Sequence, residues 1–275
     1  SLAIINLMAL QLSGHLKDEI LQAISARFLT SQKMNDLFGE GYTFAKTPFR
    51  KSDVEIDLEE SSLLKFREEH LKLSHASELR KLAGASNVFA VSPERSTTNS
   101  TLLANDPHLK LTAPSIWYLA RLELESGGVI GATIPGIPSI LSGRTENTGW
   151  GITTSYVDDQ DLFFEKVNPQ NSNEYKSETG YLKFKNRKEI INIKGSNPKI
   201  ISIQQTQNGP VITSDLFKIK SISREGYKLS LSWTSLSEAN TTLQAAIRIM
   251  KAKNVKEILK AGEGFIAPAQ NLIAI

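Results

Sequence analysis

Gly84-Ala85-Ser86-Asn87-Val88-Phe89-Ala90-Val91 is the stretch on which the reading of this chain turns. Two tiny residues close a charged run, a serine follows, and an apolar β-prone run begins at once. Glycine and alanine leave the carbonyl before Ser86 uncovered, within reach of the hydroxyl of the next residue. Self-cleavage by an N→O acyl shift requires that arrangement. Scission between Ala85 and Ser86 would leave an N-terminal residue carrying hydroxyl nucleophile and amine base in one amino acid. The same octapeptide also reads as a plain linker ahead of a strand, and on these residues alone both readings stand.

Upstream, residues 2–12 and 17–29 have helical periodicity around a break at Ser13-Gly14, with Ile20, Leu21, Ile24 and Phe28 as the apolar stripe of the second. Gly39 to Pro48 has the glycine and proline of a loop. Residues 56–82 read as one or two charged amphipathic helices, with Leu63, Leu64, Phe66, Leu71 and Leu73 set among Lys, Glu and Arg. Downstream of Ser86 the period changes. Short β-prone runs stand at 88–91, 102–104, 117–122, 129–132 and 162–167. Asn168 to Lys176 reads as a polar turn region, and further strands follow at 190–193, 200–203, 211–212 and 229–233. Leu243 to Ala261 is helical with an interruption at Asn254, and Phe265 to Ile275 is extended. Few helices fall between successive strands, so the pattern predicts an α+β fold, with antiparallel sheets and helices outside them.

The 275 residues suffice for a sizeable core, and 40% hydrophobic content suits a globular chain. A net charge of +3, with acids and bases mixed, offers no basic stripe for nucleic acid. With no cysteine, disulfides, thiolate catalysis and cysteine zinc sites are excluded. No apolar run approaches the ~20 residues that cross a bilayer as a helix, so no membrane partner is expected. The start, Ser1-Leu2-Ala3-Ile4-Ile5-Asn6-Leu7, lacks the basic region and small-residue cleavage site of a signal peptide.

Further motifs follow Ser86 in order. They are Asn105-Asp106-Pro107-His108, Ala113-Pro114-Ser115-Ile116-Trp117-Tyr118 and Gly131-Ala132-Thr133-Ile134-Pro135-Gly136-Ile137-Pro138. Gly149-Trp150-Gly151-Ile152-Thr153-Thr154 and Asp158-Asp159-Gln160-Asp161 complete the series. The series resembles the penicillin acylase family of N-terminal-nucleophile hydrolases, which includes cephalosporin and acyl-homoserine-lactone acylases. The resemblance runs from Ser86 to Asn271 and more faintly around residues 3–30. It implies a four-layer αββα sandwich, with residues 1–85 as the helical end of a first chain plus linker and 86–275 as the start of the catalytic second chain. It also implies an exported precursor, periplasmic or secreted, of which this sequence is an internal piece.

For chemistry, the resemblance implies attack by Ser86 on a linear amide of a small N-acyl compound, with its own freed amine as base. An α-amine titrates at about 7.7–8.0, so a neutral fraction exists near neutral pH. A Ser-His-Asp triad is the rival scheme, but there is no Gly-x-Ser-x-Gly elbow and the histidines scatter at 15, 70, 75 and 108. By resemblance the oxyanion donors are the Thr154 N–H and the Asn271 side-chain amide, while His108 holds the Ser86 amine and hydroxyl in register. Pro107, Leu109, Leu141, Ser142 and Ile152 match acyl-pocket positions. Carboxylates three apart in Asp158-Asp159-Gln160-Asp161 suit a hard cation. The resemblance implies Ca²⁺ on Asp158, Asp161, the Gln160 carbonyl and Glu19. An acidic turn without metal is the other reading of that stretch. Two function classes therefore remain: an acylase that matures by cutting 85/86, or an uncut, catalytically inert relative with a structural or ligand-binding role. β-Lactam side chains, homoserine-lactone signals and other N-acyl compounds are all open as substrates.

Overall fold

The computed structural model describes residues 2–12, 15–26, 29–38, 86–109, 111–125, 127–213 and 219–275. The charged run 56–82, the loop at 39–48, the break at Ser13-Gly14, Phe28 and Ala85 lie outside the described residues. In chain order the helices are α1 (Leu2–Leu12), α2 (His15–Ser25) and α3 (Ser31–Phe38), then α4 (Thr242–Lys251) and α5 (Val255–Gly262). Strands β1 (Ser86–Val91), β2 (Leu102–Pro107), β3 (Tyr118–Leu124), β4 (Gly127–Thr133), β5 (Ser142–Arg144) and β6 (Gly149–Thr154) follow α3. Next come β7 (Gln160–Asn168), β8 (Asn171–Ser177), β9 (Gly180–Lys183), β10 (Lys185–Ile191) and β11 (Lys199–Gln205). The last are β12 (Val211–Ile212), β13 (Tyr227–Trp233) and, after the final helix, β14 (Gln270–Ala274). Every strand pair is antiparallel, as the scarcity of intervening helices predicts.

The chain forms two compact units, interleaved in sequence. One takes Ser1–Gly14, Leu79–Asp159 and Thr234–Ile275; the other takes His15–Glu78 and Gln160–Trp233. In the first, a five-stranded sheet runs β14-β6-β5-β4-β3, and β1 and β2 form a separate hairpin. Side chains alternate across β6, and the alternation sorts the neighbours of the sheet. Trp150 points to one face, where it is buried with Val129 and Ile140 against Ile249 and Met250 of α4 and Ile258 of α5. Gly149 and Gly151 lie on the opposite face, under the hairpin. A Cβ on Gly149 would come within 3.3 Å of Leu103, and one on Gly151 within 2.8 Å of Val88. Within this unit the helix pair, the sheet and the hairpin therefore make three layers. Helix α1 buries Ile5 and Met8 with Ile134 and Ile137 in a second cluster.

The α4–α5 break falls where the sequence places it, and Asn254 makes it. Its Oδ1 accepts the Glu257 N–H at 3.0 Å, while the Glu257 carboxylate accepts from the Asn254 side chain at 2.8 Å and the Lys253 N–H at 2.9 Å. This reciprocal cap starts a new helix.

In the second unit the sheet order is β12-β13-β7-β8-β9, and β10 pairs with β11 in a ribbon. Here the reading of Asn168–Lys176 as a polar turn is overturned. The turn is brief, the register shifts at Val167/Asn168, and Asn171–Ser177 is a strand. Asn-Ser-Asn-Glu-Tyr-Lys-Ser hides its alternation because most of it faces out. Tyr175 alone supplies an apolar anchor, 3% exposed, with its ring 5.0 Å from Phe184 and its hydroxyl accepting the Gln207 N–H at 2.9 Å. Cross-strand pairing, not hydrophobicity, fixes such a strand. Among the described residues no helix is long and apolar enough to cross a membrane, which leaves strand-built membrane proteins aside.

Candidate active site

Ser86 opens β1 and pairs with Pro107 at the end of β2, so the hairpin carries the serine at its tip. The half-buried side chains Ser86, Val88, Asn105 and Pro107 share one face of the hairpin, and Asn87 and Asp106 share the exposed one. The inner face sits against β6, and the glycines there set how close it comes. Gly151→Ala places its Cβ 2.8 Å from Val88 Cγ2 and 3.0 Å from Asn105 Cβ. Such overpacking is expected to cost about 1–3 kcal/mol. The midpoint of denaturant unfolding reads it, and an unchanged midpoint would show that the hairpin does not lie that close.

Strand β6 has different partners on its two sides. Toward β14, Gly149 and Ile275 exchange both bonds at 2.9 Å, and the Ser155 N–H donates to the Ala269 carbonyl at 3.2 Å. Antiparallel alternation then turns the N–H groups of Trp150, Ile152 and Thr154 toward the other side. There β5 pairs only with Gly149 and Trp150. The Ile152 N–H is taken by Asn105 Oδ1 at 3.1 Å. Thr154, two residues on, turns its N–H the same way beyond the end of β5.

Ser86 and Thr154 line one cavity. The cavity is small, about 60 Å³. Of the residues expected at an acyl pocket, Pro107, Leu109, Leu141 and Ile152 line it and Ser142 does not. Ser142 opens onto a separate polar cleft with Arg144 and Glu146. Neighbouring residues of an extended chain face opposite ways, which agrees with Leu141 and Ser142 lining different cavities. Residues not singled out in the sequence complete the wall. Ile5, Met8 and Leu12 come from α1, Phe265 from the segment after α5, and Trp117 from the approach to β3. Gln270 also lines it, directly opposite Thr154 in the β6–β14 register. That one was within reach of the sequence, since alternation puts Gln270, not Asn271, on the face of Ile152 and Thr154.

Asn271 pairs with Thr153, so it stands next to Thr154 on the adjacent strand. Its Nδ2 donates to Thr153 Oγ1 at 3.1 Å and, more weakly, to the Thr154 carbonyl at 3.4 Å. His108 is exposed, and its Nε2 lies 2.5 Å from Asp106 Oδ2, a residue of the outer face of the hairpin. The cavity wall passes from Pro107 to Leu109 without it.

At the start of β7, Glu19 Oε2 accepts the Leu162 N–H at 3.5 Å, which sets the α2 carboxylate beside the Asp161–Leu162 peptide. Gln160 Oε1 accepts the Leu16 N–H at 2.9 Å. Among the described residues, no three Asp, Glu, His or Cys side chains come together at a metal-binding distance. Glu19, Asp161 and the Gln160 carbonyl are oxygen donors of the kind a hard cation takes. Asp158 belongs to the other unit.

The penicillin amidase family model matches residues 1–275, the whole chain. An acyl-homoserine lactone acylase QuiP of Pseudomonas aeruginosa is 31% identical over 196 residues, covering 69% of this chain and 23% of that protein. The penicillin acylase 2 proenzyme of Pseudomonas sp. strain SE83 is 26% identical over 197 residues, covering 70% and 24%. Among solved structures, a thermostable penicillin G acylase from Alcaligenes faecalis superposes with a TM-score of 0.59 at 26% identity. That match covers 70% of this chain and 33% of the other. The chain thus spans about a quarter of the length of the curated relatives it matches.

Proposed function

The chain belongs to the penicillin amidase family, and from that premise we propose that it is the core of an N-terminal-nucleophile acylase acting through Ser86. The observation that carries the reading is that Ser86 and Thr154 wall the same apolar cavity. In maturation the Ser86 hydroxyl attacks the Ala85 carbonyl and the peptide C–N bond breaks to an ester. That break already frees the α-amine, and water then hydrolyses the ester, freeing the Ser86 hydroxyl and parting the two chains. In turnover Ser86 Oγ attacks the carbonyl of an N-acyl amide while the neutral amine takes its proton. The tetrahedral oxyanion is held by the Thr154 N–H and the Asn271 amide. The C–N bond breaks, the proton passes to the leaving amine, and water attacks the acyl-serine ester to release the acid. The apolar wall receives the acyl group. No step needs a proton from His108. One relative is named a penicillin acylase 2 proenzyme, which supports maturation by cutting. The wider fold is proposed as a four-layer αββα sandwich, in a parent protein exported to the periplasm or beyond.

Intact mass under denaturing conditions tests the reading. Two polypeptides, the larger beginning at Ser86, are expected; a single chain of 30.4 kDa would put the uncut, inert relative in its place.

To act on the oxyanion Asn271 gives up its weak contact with the Thr154 carbonyl, 3.4 Å long, and turns that N–H to the substrate. Asn271→Ala is therefore expected to lower kcat ~10²–10³-fold with KM little changed. A wild-type kcat removes Asn271 from the mechanism.

Ca²⁺ is proposed at the start of β7, on Glu19, Asp161 and the Gln160 carbonyl, tying α2 to that strand. At 100 times its Kd such an ion adds about 2.7 kcal/mol to stability. Chelation is expected to lower the melting temperature and Ca²⁺, but not Mg²⁺, to restore it. Identical melting with and without chelator argues for the plain acidic turn.

A further inference from the structure

We infer that Asn105 is a positioning residue, whose side chain sets the Thr154 N–H relative to Ser86; the inference rests on the acylase reading above. Asn105 sits in β2 opposite Val88, on the face of the hairpin that meets β6. Its Oδ1 accepts the Ile152 N–H at 3.1 Å, and its Nδ2 donates to the Ile152 carbonyl at 3.1 Å. The same Nδ2 donates to the Asn87 carbonyl at 2.9 Å. One side chain thus holds both polar groups of a β6 residue, as a neighbouring strand would, and the carbonyl of the residue that follows Ser86.

The place of this clamp gives it its effect. Strand β5 pairs with β6 only at Gly149 and Trp150, so among the described residues no strand pairs with the stretch that ends at Thr154 on that side. The other packing of the hairpin on β6 is apolar, Val88 and Leu103 over glycines. Apolar packing sets distance but leaves sliding and rotation cheap, whereas three hydrogen bonds to one amide fix both. Asn105 does not line the cavity, so it acts on the geometry of the reaction and not on acyl binding.

The isosteric change Asn105→Asp keeps the volume but puts an acceptor against two carbonyl oxygens, those of Asn87 and Ile152. Asn105→Gln keeps the amide on a longer stem and serves as the second variant where the aspartate chain does not fold. Wild type, Ser86→Ala and both Asn105 variants are compared for kcat and KM on an N-acyl-homoserine lactone, for melting temperature, and for amide hydrogen exchange. A misplacement of about 1 Å costs roughly 10²-fold. The expected result is a ~10²-fold loss of kcat at near wild-type KM in the folded variant, with faster exchange at Ile152 but not at Gly151. A wild-type kcat, or kcat and KM moving together, overturns the inference while leaving the acylase reading intact. A wild-type chain that shows no Ser86-dependent cutting or turnover fails the acylase reading, and the inference falls with it.

Discussion

Ser86→Ala yields a folded, uncut chain with no measurable turnover. The substitution removes one oxygen from a half-buried position at the start of a strand, so it creates no sizeable cavity and its stability cost is expected within about 0.5 kcal/mol. The chemical cost is of another order. Loss of the nucleophile in a serine hydrolase removes roughly 10⁶ in kcat, and what remains comes from oxyanion donors and binding. Both reactions at this residue need the same oxygen, so cleavage at 85/86 and turnover should vanish together. Continued cutting at 85/86 in Ser86→Ala would assign the cut to an outside protease. Ser86→Cys sharpens the test. The chain has no cysteine, so the introduced thiol is the single alkylation site. Cleavage restored by the thiol and then turnover blocked by alkylation would locate the chemistry at this side chain.

What the sequence disclosed and what it hid differ by physical cause. Strands such as β1, β2 and β13 announce themselves because their own aliphatic and aromatic residues define them. The cap at Asn254 is equally local. β8 and β5 are held by pairing with the strands just before and after them in the chain and not by their own apolar residues, which leaves little trace in a polar heptapeptide or a three-residue strand. The site divides in the same way. Ser86, Pro107, Leu109, Ile152 and Thr154 are legible because each belongs to a compact motif. The wall contributed by Ile5, Met8 and Leu12 is not. Helix α1, Leu-Ala-Ile-Ile-Asn-Leu-Met-Ala-Leu-Gln-Leu, is apolar nearly all round, so its periodicity does not say which side meets the cavity. Ser142 and His108 show the opposite limit. A motif assigns a neighbourhood of three or four residues, but the alternation of an extended chain splits that neighbourhood between two faces.

Trp150→Ala should be the most destabilising single change in the sheet, at about 3–5 kcal/mol. The indole is 1% exposed. It fills the layer between β6 and the two final helices, against Ile249, Met250 and Ile258, and its Nε1 donates to the Ile140 carbonyl at 3.3 Å. Truncation leaves a cavity in a layer whose walls belong to five elements, so collapse is restricted, and the buried Ile140 carbonyl is left with only the Ser139 hydroxyl, at 3.4 Å, of its two side-chain donors. Trp150→Phe separates the two terms, keeping most of the volume while losing the hydrogen bond, and should cost about 1–2 kcal/mol. The position also links stability to the site. Trp150 and Gly151 are adjacent on β6 and face opposite layers, so a β6 that sinks toward the helices to fill the hole draws away from the hairpin that carries Ser86. Denaturant unfolding measures the first effect, and kcat of the still-folded Trp150→Phe chain measures the second. A loss of kcat larger than the small change in stability explains would show that the helix layer holds β6 at the height the nucleophile needs.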